Sequence, residues 1–261
     1  MTYRVVAANH AEASENRIHS DDVAQRYGFT GALVPGVAVF GYMSHEVTRV
    51  FGTSWLGGSV AEVRLIKPAY TGDRLAIDVT REEGRRLDVE CRNDAGLLLA
   101  TLAVDAAGTL PPLDARASIV GRTPNPPRQP IDWQAVHIDQ PFAAFTWHPS
   151  MEDNRIYAGH VDDDSPDWRD GVLHPHLLQH MANVALVRRF VMPAWVHVRT
   201  EMRFRRVLRA GDSVEIRTVP VEKWERKGHQ FVKLYIAYTV DERPAIEVFH
   251  TAIFRLAERG A

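Results

Sequence analysis

The chain has 261 residues and one cysteine, Cys91, so no intrachain disulfide framework is available and a reducing compartment is expected. Long apolar runs are missing as well. No stretch approaches the roughly 20 apolar residues of a membrane span, and the opening MTYRVVAANHAEASE carries no apolar run of signal-peptide length. A cytoplasmic protein with no membrane partner is the expectation. Excess charge of one sign is also absent: 31 Lys and Arg stand against 33 Asp and Glu, and no basic block offers a footing for nucleic acid. There is no G-x-S-x-G elbow, P-loop or dinucleotide fingerprint, so serine catalysis is unsupported and no cofactor is expected. What remains is 45% hydrophobic and 25% charged residues, the composition of an ordinary globular protein.

One hexapeptide occurs almost twice. Ser14-Glu15-Asn16-Arg17-Ile18-His19 is echoed by Glu152-Asp153-Asn154-Arg155-Ile156-Tyr157, a shift of 154 − 16 = 138 that also sets His10 on His148. Leu33-Val34-Pro35-Gly36 answers Leu173-His174-Pro175-His176 at a shift of 140, and Gly72-Asp73 answers Gly211-Asp212 at 139. Three anchors in one order describe a duplicated domain, because solenoid periods are far shorter, roughly 20–50 residues. Prolines at 111, 112, 124, 126, 127 and 130 disfavour helix and sheet between the copies. The reading is a first domain over 1–108, a proline-rich linker over 109–135, and a second, degenerate domain over 136–261 that serves mainly as scaffold.

Each copy repeats one order of elements. A long apolar helix follows the hexapeptide, with Val37, Phe40, Met43, Val47 and Val50 at helical spacing in the first copy and Leu177, Leu178, Met181, Val184 and Ala185 in the second. Pro35 and Pro175 sit at the first turn, where amides lack intrahelical partners and a proline costs no hydrogen bond. Strand-favouring runs come next: VAEVRLIK, RLAIDVT, RLDVECR and LLLATLAVDA, then WVHVRTEMRF, SVEIRTVPV, FVKLYIAYTV and AIEVFHTAIF. A helix followed by an antiparallel meander, twice over, is an α+β pattern in which each sheet buries one face on its helix.

That order, with N-x-I-H, the L-V-P-G helix start and P-x-x-x-G-D from Pro68 to Asp73, resembles the MaoC-like hydratase/dehydratase family, which includes (R)-specific enoyl-CoA hydratases. The resemblance implies two tandem hotdog folds, each a long helix wrapped by an antiparallel sheet, paired within one chain as a pseudo-dimer. It implies an acyl-CoA or acyl-carrier-protein thioester as partner, and reversible hydration and dehydration as activity. A monomer or a homodimer of such chains would fit. The family motif runs Asp-x-Asn-Pro-(Ile/Leu)-His. Here His19, Asn16 and Ile18 match, Ser14 stands in the place of the acid, Arg17 replaces the proline, and Pro35 stands where a histidine is common. His19 with Glu15 or Ser14 is therefore the catalytic expectation, and Asn16, Gly36, Val34 and Arg17 the substrate-binding one.

Hydration of an enoyl thioester needs a base for water, an acid for the α-carbon and a donor for the oxygen that becomes enolate-like. An imidazole titrating near 6.5 suits the first two. The Gly36 amide at a helix N-terminus suits the third, with no Cβ to block a thioester. If the segment is extended, Ser14 faces in and Glu15 out; Glu15 or Asp21 can then serve as carboxylate only by swinging in, and otherwise His19 acts alone or the site only binds. Asn16 and Asn154 recur in both copies, which also suits a structural job in turns. Thioester hydrolysis by Glu46 or Gln179, and a non-catalytic acyl-binding subunit, are the alternatives. His176 and His180 share a helix face at metal-compatible spacing, but Leu177 stands where a zincin needs glutamate, so no metal site is expected and a polar patch near the channel is favoured.

Overall fold

The computed structural model describes residues 2–257; Met1 and residues 258–261, the outermost parts of the two domains read from the sequence, lie outside the described residues. Along the chain the strands are β1 (Tyr3–Val6), β2 (Ser59–Leu65), β3 (Arg74–Glu83), β4 (Arg86–Asn93), β5 (Leu98–Asp105), β6 (Gln129–Pro130), β7 (Phe145–Trp147), β8 (Phe190–Val191), β9 (Val196–Phe204), β10 (Val214–Arg226), β11 (His229–Val240) and β12 (Arg243–Arg255). The α-helices are α1 (Asp21–Arg26), α2 (Gly36–Phe51), α3 (Met151–Gly159) and α4 (Pro175–Val187). All eight strand-favouring runs form strands, and both apolar periodicities form helices.

Ten strands make one antiparallel sheet in the order β1-β3-β4-β5-β2-β9-β12-β11-β10-β7. The two halves of that order mirror each other about the β2–β9 seam. Across the seam Glu62 pairs with Glu201, its own counterpart at the duplication shift of 201 − 62 = 139, so a pseudo-two-fold axis passes through this pair. Like charges facing each other destabilise a sheet; here Arg199 reaches Glu62 at 2.8 Å and Arg203 reaches Glu201 at 2.8 Å. Two tandem hotdogs thus join edge to edge into an intrachain pseudo-dimer.

Buried and half-buried residues alternate along β2 and the start of β3, so this half turns one face inward onto its helix. α2 lies against β3, β4, β5 and β9, and also against α4. A methyl on Gly41 would lie 2.9 Å from both His176 Cβ and Val161 Cγ1, so only glycine lets the two helices come this close. One apolar core runs from Val5 to Phe254 through both halves, with the Trp55 ring edge-on to Phe204 at 5.0 Å. Each fully buried Leu, Ile or Phe in it contributes roughly 1.5–3 kcal/mol. Cys91 belongs to this core, and burial pushes its thiol up to about 12, which makes it inert.

Two register expectations change. Leu33 bridges Tyr70 and Val172 bridges Arg209, while Val34 N–H bonds Ala69 O and Leu173 N–H bonds Leu208 O. The equivalence at the helix starts is therefore 172 − 33 = 139 rather than 140, so Pro35 corresponds to His174 and Gly36 to Pro175. Pro35 caps α2 instead of opening it, whereas Pro175 is the first residue of α4. The hexapeptides also fold differently. Ser150 and Asp153 form a capping box that starts α3, and the second copy runs inside that helix. In the first copy the Arg17 amide is taken by Pro193 O across the molecule, and only a 3-10 turn over Arg17–His19 forms, capped by Asn16.

The proline-rich segment crosses the second half's sheet. Asp114 N–H bonds Glu247 Oε1 at 2.9 Å, Arg205 donates to Pro111 O at 2.7 Å, and Ala117 packs on Tyr235 and Ala237. β6 then pairs in parallel with β8, which brings Arg128 to the rim of the cavity described next.

Candidate active site

His19 ends the short turn with its ring half-buried and both nitrogens accounted for. Nδ1–H donates to Leu33 O at 2.7 Å, which leaves Nε2 as a lone pair. Asn16 Nδ2 approaches that lone pair at 3.3 Å. Burial pulls the His19 pKa below its ordinary value, with the Leu33 carbonyl pulling the other way, so the ring is neutral at pH 7. Asn16 is itself fixed: its Oδ1 accepts Trp195 N–H at 3.1 Å and its Nδ2 donates to Trp195 O at 3.0 Å, a two-bond clamp onto the chain entering β9.

The ring stands between two lobes of a cavity that share Asn16, His19, Pro35, Asn183 and Trp195. The larger, about 580 Å³, sets His160, His176 and His180 among apolar side chains; the smaller, about 230 Å³, is lined mainly by apolar side chains together with Gly36 and His197. Trp195 Nε1 and Asn183 Oδ1 are buried at this junction without a hydrogen-bond partner in the protein.

The N-terminus of α2 opens onto the same space. No side chain caps it, and the Ala38 and Val39 amides both turn to Pro35 O at 2.9 and 3.2 Å, which leaves the Gly36 and Val37 amides as first-turn donors. The glycine is demanded for a reason the sequence did not reveal. A methyl at position 36 would collide with Leu65 Cδ1 and lie 3.2 Å from His197 Nδ1, so these two side chains occupy the Cβ side of Gly36 while the residue itself still lines the smaller lobe.

The other predicted site residues divide. Ser14 lines the larger lobe, its hydroxyl donating to Asn16 O at 3.3 Å, and Val34 lines the smaller. Glu15 does not partner His19: it lies at the rim, gripped by Arg128 at 2.5 and 3.1 Å, and this guanidinium holds its carboxyl below the ordinary range. The segment is a turn, not a strand, so the inward-outward alternation expected for Ser14 and Glu15 does not apply. Asp21 accepts Ala32 N–H at 2.7 Å and holds a loop. Arg17 is half exposed, faces Asp22 at 3.9 Å and lines neither lobe. Among the described residues no carboxylate oxygen lies within 4.0 Å of either His19 nitrogen.

The candidates for hydrolysis stand elsewhere. Glu46 is buried on α2, bound to Arg49 at 2.8 Å and near His45, and Gln179 is buried on α4; neither lines a lobe.

The second half contributes more than scaffold. Tyr157, in the place of His19, faces the larger lobe with His160, His176 and His180. His176 Nδ1–H donates to Tyr157 O at 3.0 Å, and the His160 ring stacks on His10 at 4.3 Å. Burial lowers the pKa of all three of these histidines, that of His180 to about 4, so these three imidazoles are neutral at pH 7. His176 and His180 were legible as a polar stripe on α4. His197 and Arg128 were not, because only long-range pairing brings β9 and the proline-rich segment to the site. Among the described residues no group of three or more His, Cys, Asp and Glu could hold a metal ion, and no helix is long and apolar enough to cross a membrane.

No protein-family model matches the sequence, and no curated protein is significantly similar to it. Solved structures do match over essentially the whole chain. A candidate MaoC domain dehydratase from Chloroflexus aurantiacus superposes with a TM-score of 0.63 at 11% identity, over 100% of this chain and 96% of that one. A Mycobacterium tuberculosis protein described as a double hotdog gives 0.62 at 14%, over 97% and 95%. A candidate oleoyl thioesterase from Lactobacillus plantarum gives 0.52 at 12%, over 99% and 96%. At these identities the likeness is one of fold, and the fold is the double hotdog.

Proposed function

We propose that this double hotdog protein is a MaoC-like hydratase/dehydratase that adds water to, or removes it from, an acyl thioester carried by CoA or a carrier protein. The observation that carries the reading is the His19 Nε2 lone pair, held in a cavity that also receives the uncapped start of α2. His19 takes a proton from water as its oxygen bonds the β-carbon. The Gly36 amide bears the charge that develops on the thioester oxygen, and the imidazolium returns its proton to the α-carbon, so that one water adds in full. A ring whose protonated form is destabilised by burial releases that proton readily, while the Leu33 carbonyl keeps Nδ1–H aimed. Ser14, Asn16 and Val34 shape the pocket around this pair.

Hydrolysis is the weaker reading, because Glu46 is committed to Arg49 and Gln179 lies off the cavity. With Ser14 in the acid's place, one imidazole does the work usually shared with a carboxylate, and the rate expected is lower by orders of magnitude. Crotonyl-CoA and longer enoyl-CoAs assayed for hydration test the proposal: turnover is expected, and His19→Ala should abolish it. Turnover surviving that substitution unchanged would refute the role of His19, and release of free CoA in its place would favour hydrolysis.

A further inference from the structure

We infer that His197, supplied by the second half, is a second donor beside the Gly36 amide, so that the oxyanion hole of the proposed reaction is built from both halves of the chain. The inference rests on the acyl-thioester reading above. His197 is 6% exposed and lines the smaller lobe together with Gly36 and His19, yet its Nδ1 has no partner in the protein. That nitrogen stands 3.2 Å from where a Cβ on Gly36 would be, hence beside the first turn of α2.

Its tautomer follows from its neighbours. His197 Nε2 lies 2.7 Å from Thr200 Oγ1, and the same oxygen lies 3.0 Å from His250 Nδ1. The hydroxyl has no other hydrogen-bond partner, so its single proton is used only when one imidazole receives it, and the other ring then gives one. The two orphan nitrogens decide the direction. His250 Nε2 lies in a fully buried side chain that lines neither lobe, whereas His197 lines the smaller lobe with its Nδ1 beside Gly36. An orphan N–H sealed in the core is costlier than an orphan lone pair. The chain therefore runs His250 Nδ1–H to Thr200 Oγ1, Thr200 O–H to His197 Nε2, and the remaining His197 proton sits on Nδ1, beside the first turn of α2. Burial also holds His197 neutral, its pKa near 3, so it acts as a polarising donor and not as an acid.

The second helix has no such donor. Under the shift of 139, Gly58 and Ala61 stand where His197 and Thr200 stand in the first site.

The test compares acetoacetyl-CoA, whose enolate carries a charged thioester oxygen, with saturated butyryl-CoA by calorimetry. Wild-type protein is expected to bind both. His197→Gln keeps an acceptor for the Thr200 hydroxyl but places no donor at Nδ1, and should weaken acetoacetyl-CoA roughly tenfold or more while leaving butyryl-CoA within about twofold. Thr200→Val, which leaves the ring in place, should weaken acetoacetyl-CoA in the same direction by less. Equal loss or no loss for the two ligands overturns the role of His197 alone; failure of wild-type protein to bind either one overturns the acyl-thioester reading and this inference with it. Should His197→Gln not fold, nitrogen NMR of wild-type protein still decides, because a protonated Nδ1 on His197 supports the assignment and a bare Nδ1 refutes it.

Discussion

α2 and α4 occupy equivalent places about the pseudo-two-fold axis, yet their first turns differ in every polar detail. At α2 the cap is Pro35, which offers no side-chain acceptor, and Gly36 presents a free amide to a cavity. At α4 the cap is His174, whose Nδ1 takes the His176 amide at 3.0 Å while its Nε2–H is held by Asp163 at 3.3 Å, and the next residue, Pro175, has no amide proton to offer. Burial keeps His174 neutral, and its hydrogen bond helps hold the Asp163 carboxyl below the ordinary range although burial works against that charge. Duplication made two helix N-termini with the same positive end. One is left open to a cavity, and the other is sealed by its own side chains.

Giving α2 the chemistry of α4 breaks the comparison most directly. Proline suits a first helical position, so Gly36→Pro removes the amide proton with little backbone penalty. Gly36→Ala adds the same crowding of Leu65 while keeping that proton. The proline variant should lose about 10²–10³-fold in kcat for enoyl-thioester hydration and the alanine variant far less. Equal losses would show that crowding, not the amide, sets the rate.

Unsealing α4 should act on stability instead. His174→Ala removes a cap and strands a buried carboxylate, at a cost of about 3 kcal/mol measured by urea denaturation. Turnover by the folded fraction should not change, because His174 lines neither lobe.

The sheet and both long helices could be read from the sequence because alternation and helical spacing are local properties. The pseudo-dimer could be read because the Gly-Asp turns keep one shift. The site was half legible. His19, Asn16 and Gly36 lie within one short stretch of chain and carry a motif, whereas His197 and Thr200 sit in a β-strand whose pattern says only that one face is buried. The one-residue error at the helix starts came from matching Pro35 with Pro175, two prolines that serve different positions. On the sequence alone Glu15 is a carboxylate that would have to swing in, and the turn imposed by Asn16 and Pro193 leaves it at the rim with Arg128.

The sealed and buried histidines also set a pH dependence. His197 and His180 have folded pKa values near 3 and 4, below the 6.5 of an unfolded histidine. Below pH 6.5 the unfolded chain takes up protons that the fold refuses, so stability rises with pH up to about 6.5 and falls beneath it. Each of these two groups should contribute a loss of about 1.4 kcal/mol per pH unit between pH 6 and 4. Denaturation midpoints across that range measure it, and His197→Gln should flatten the slope by about one such unit.

The smallest effect expected is at Glu15, and it separates a conserved-looking spacing from a working contact. A carboxylate one residue from the motif's acid position invites a catalytic role, but this one is 65% exposed and already paired with Arg128, which also donates to Phe190 O at 2.9 Å. Exposed pairs of this kind add little to a fold. Glu15→Gln should therefore leave turnover within about twofold of wild type, with the loss falling on KM where Arg128 is freed to move at the rim. A fall of kcat comparable to that in His19→Ala would mean that Glu15 leaves Arg128 during the reaction and supplies the missing carboxylate, and the single-imidazole mechanism would give way to a paired one.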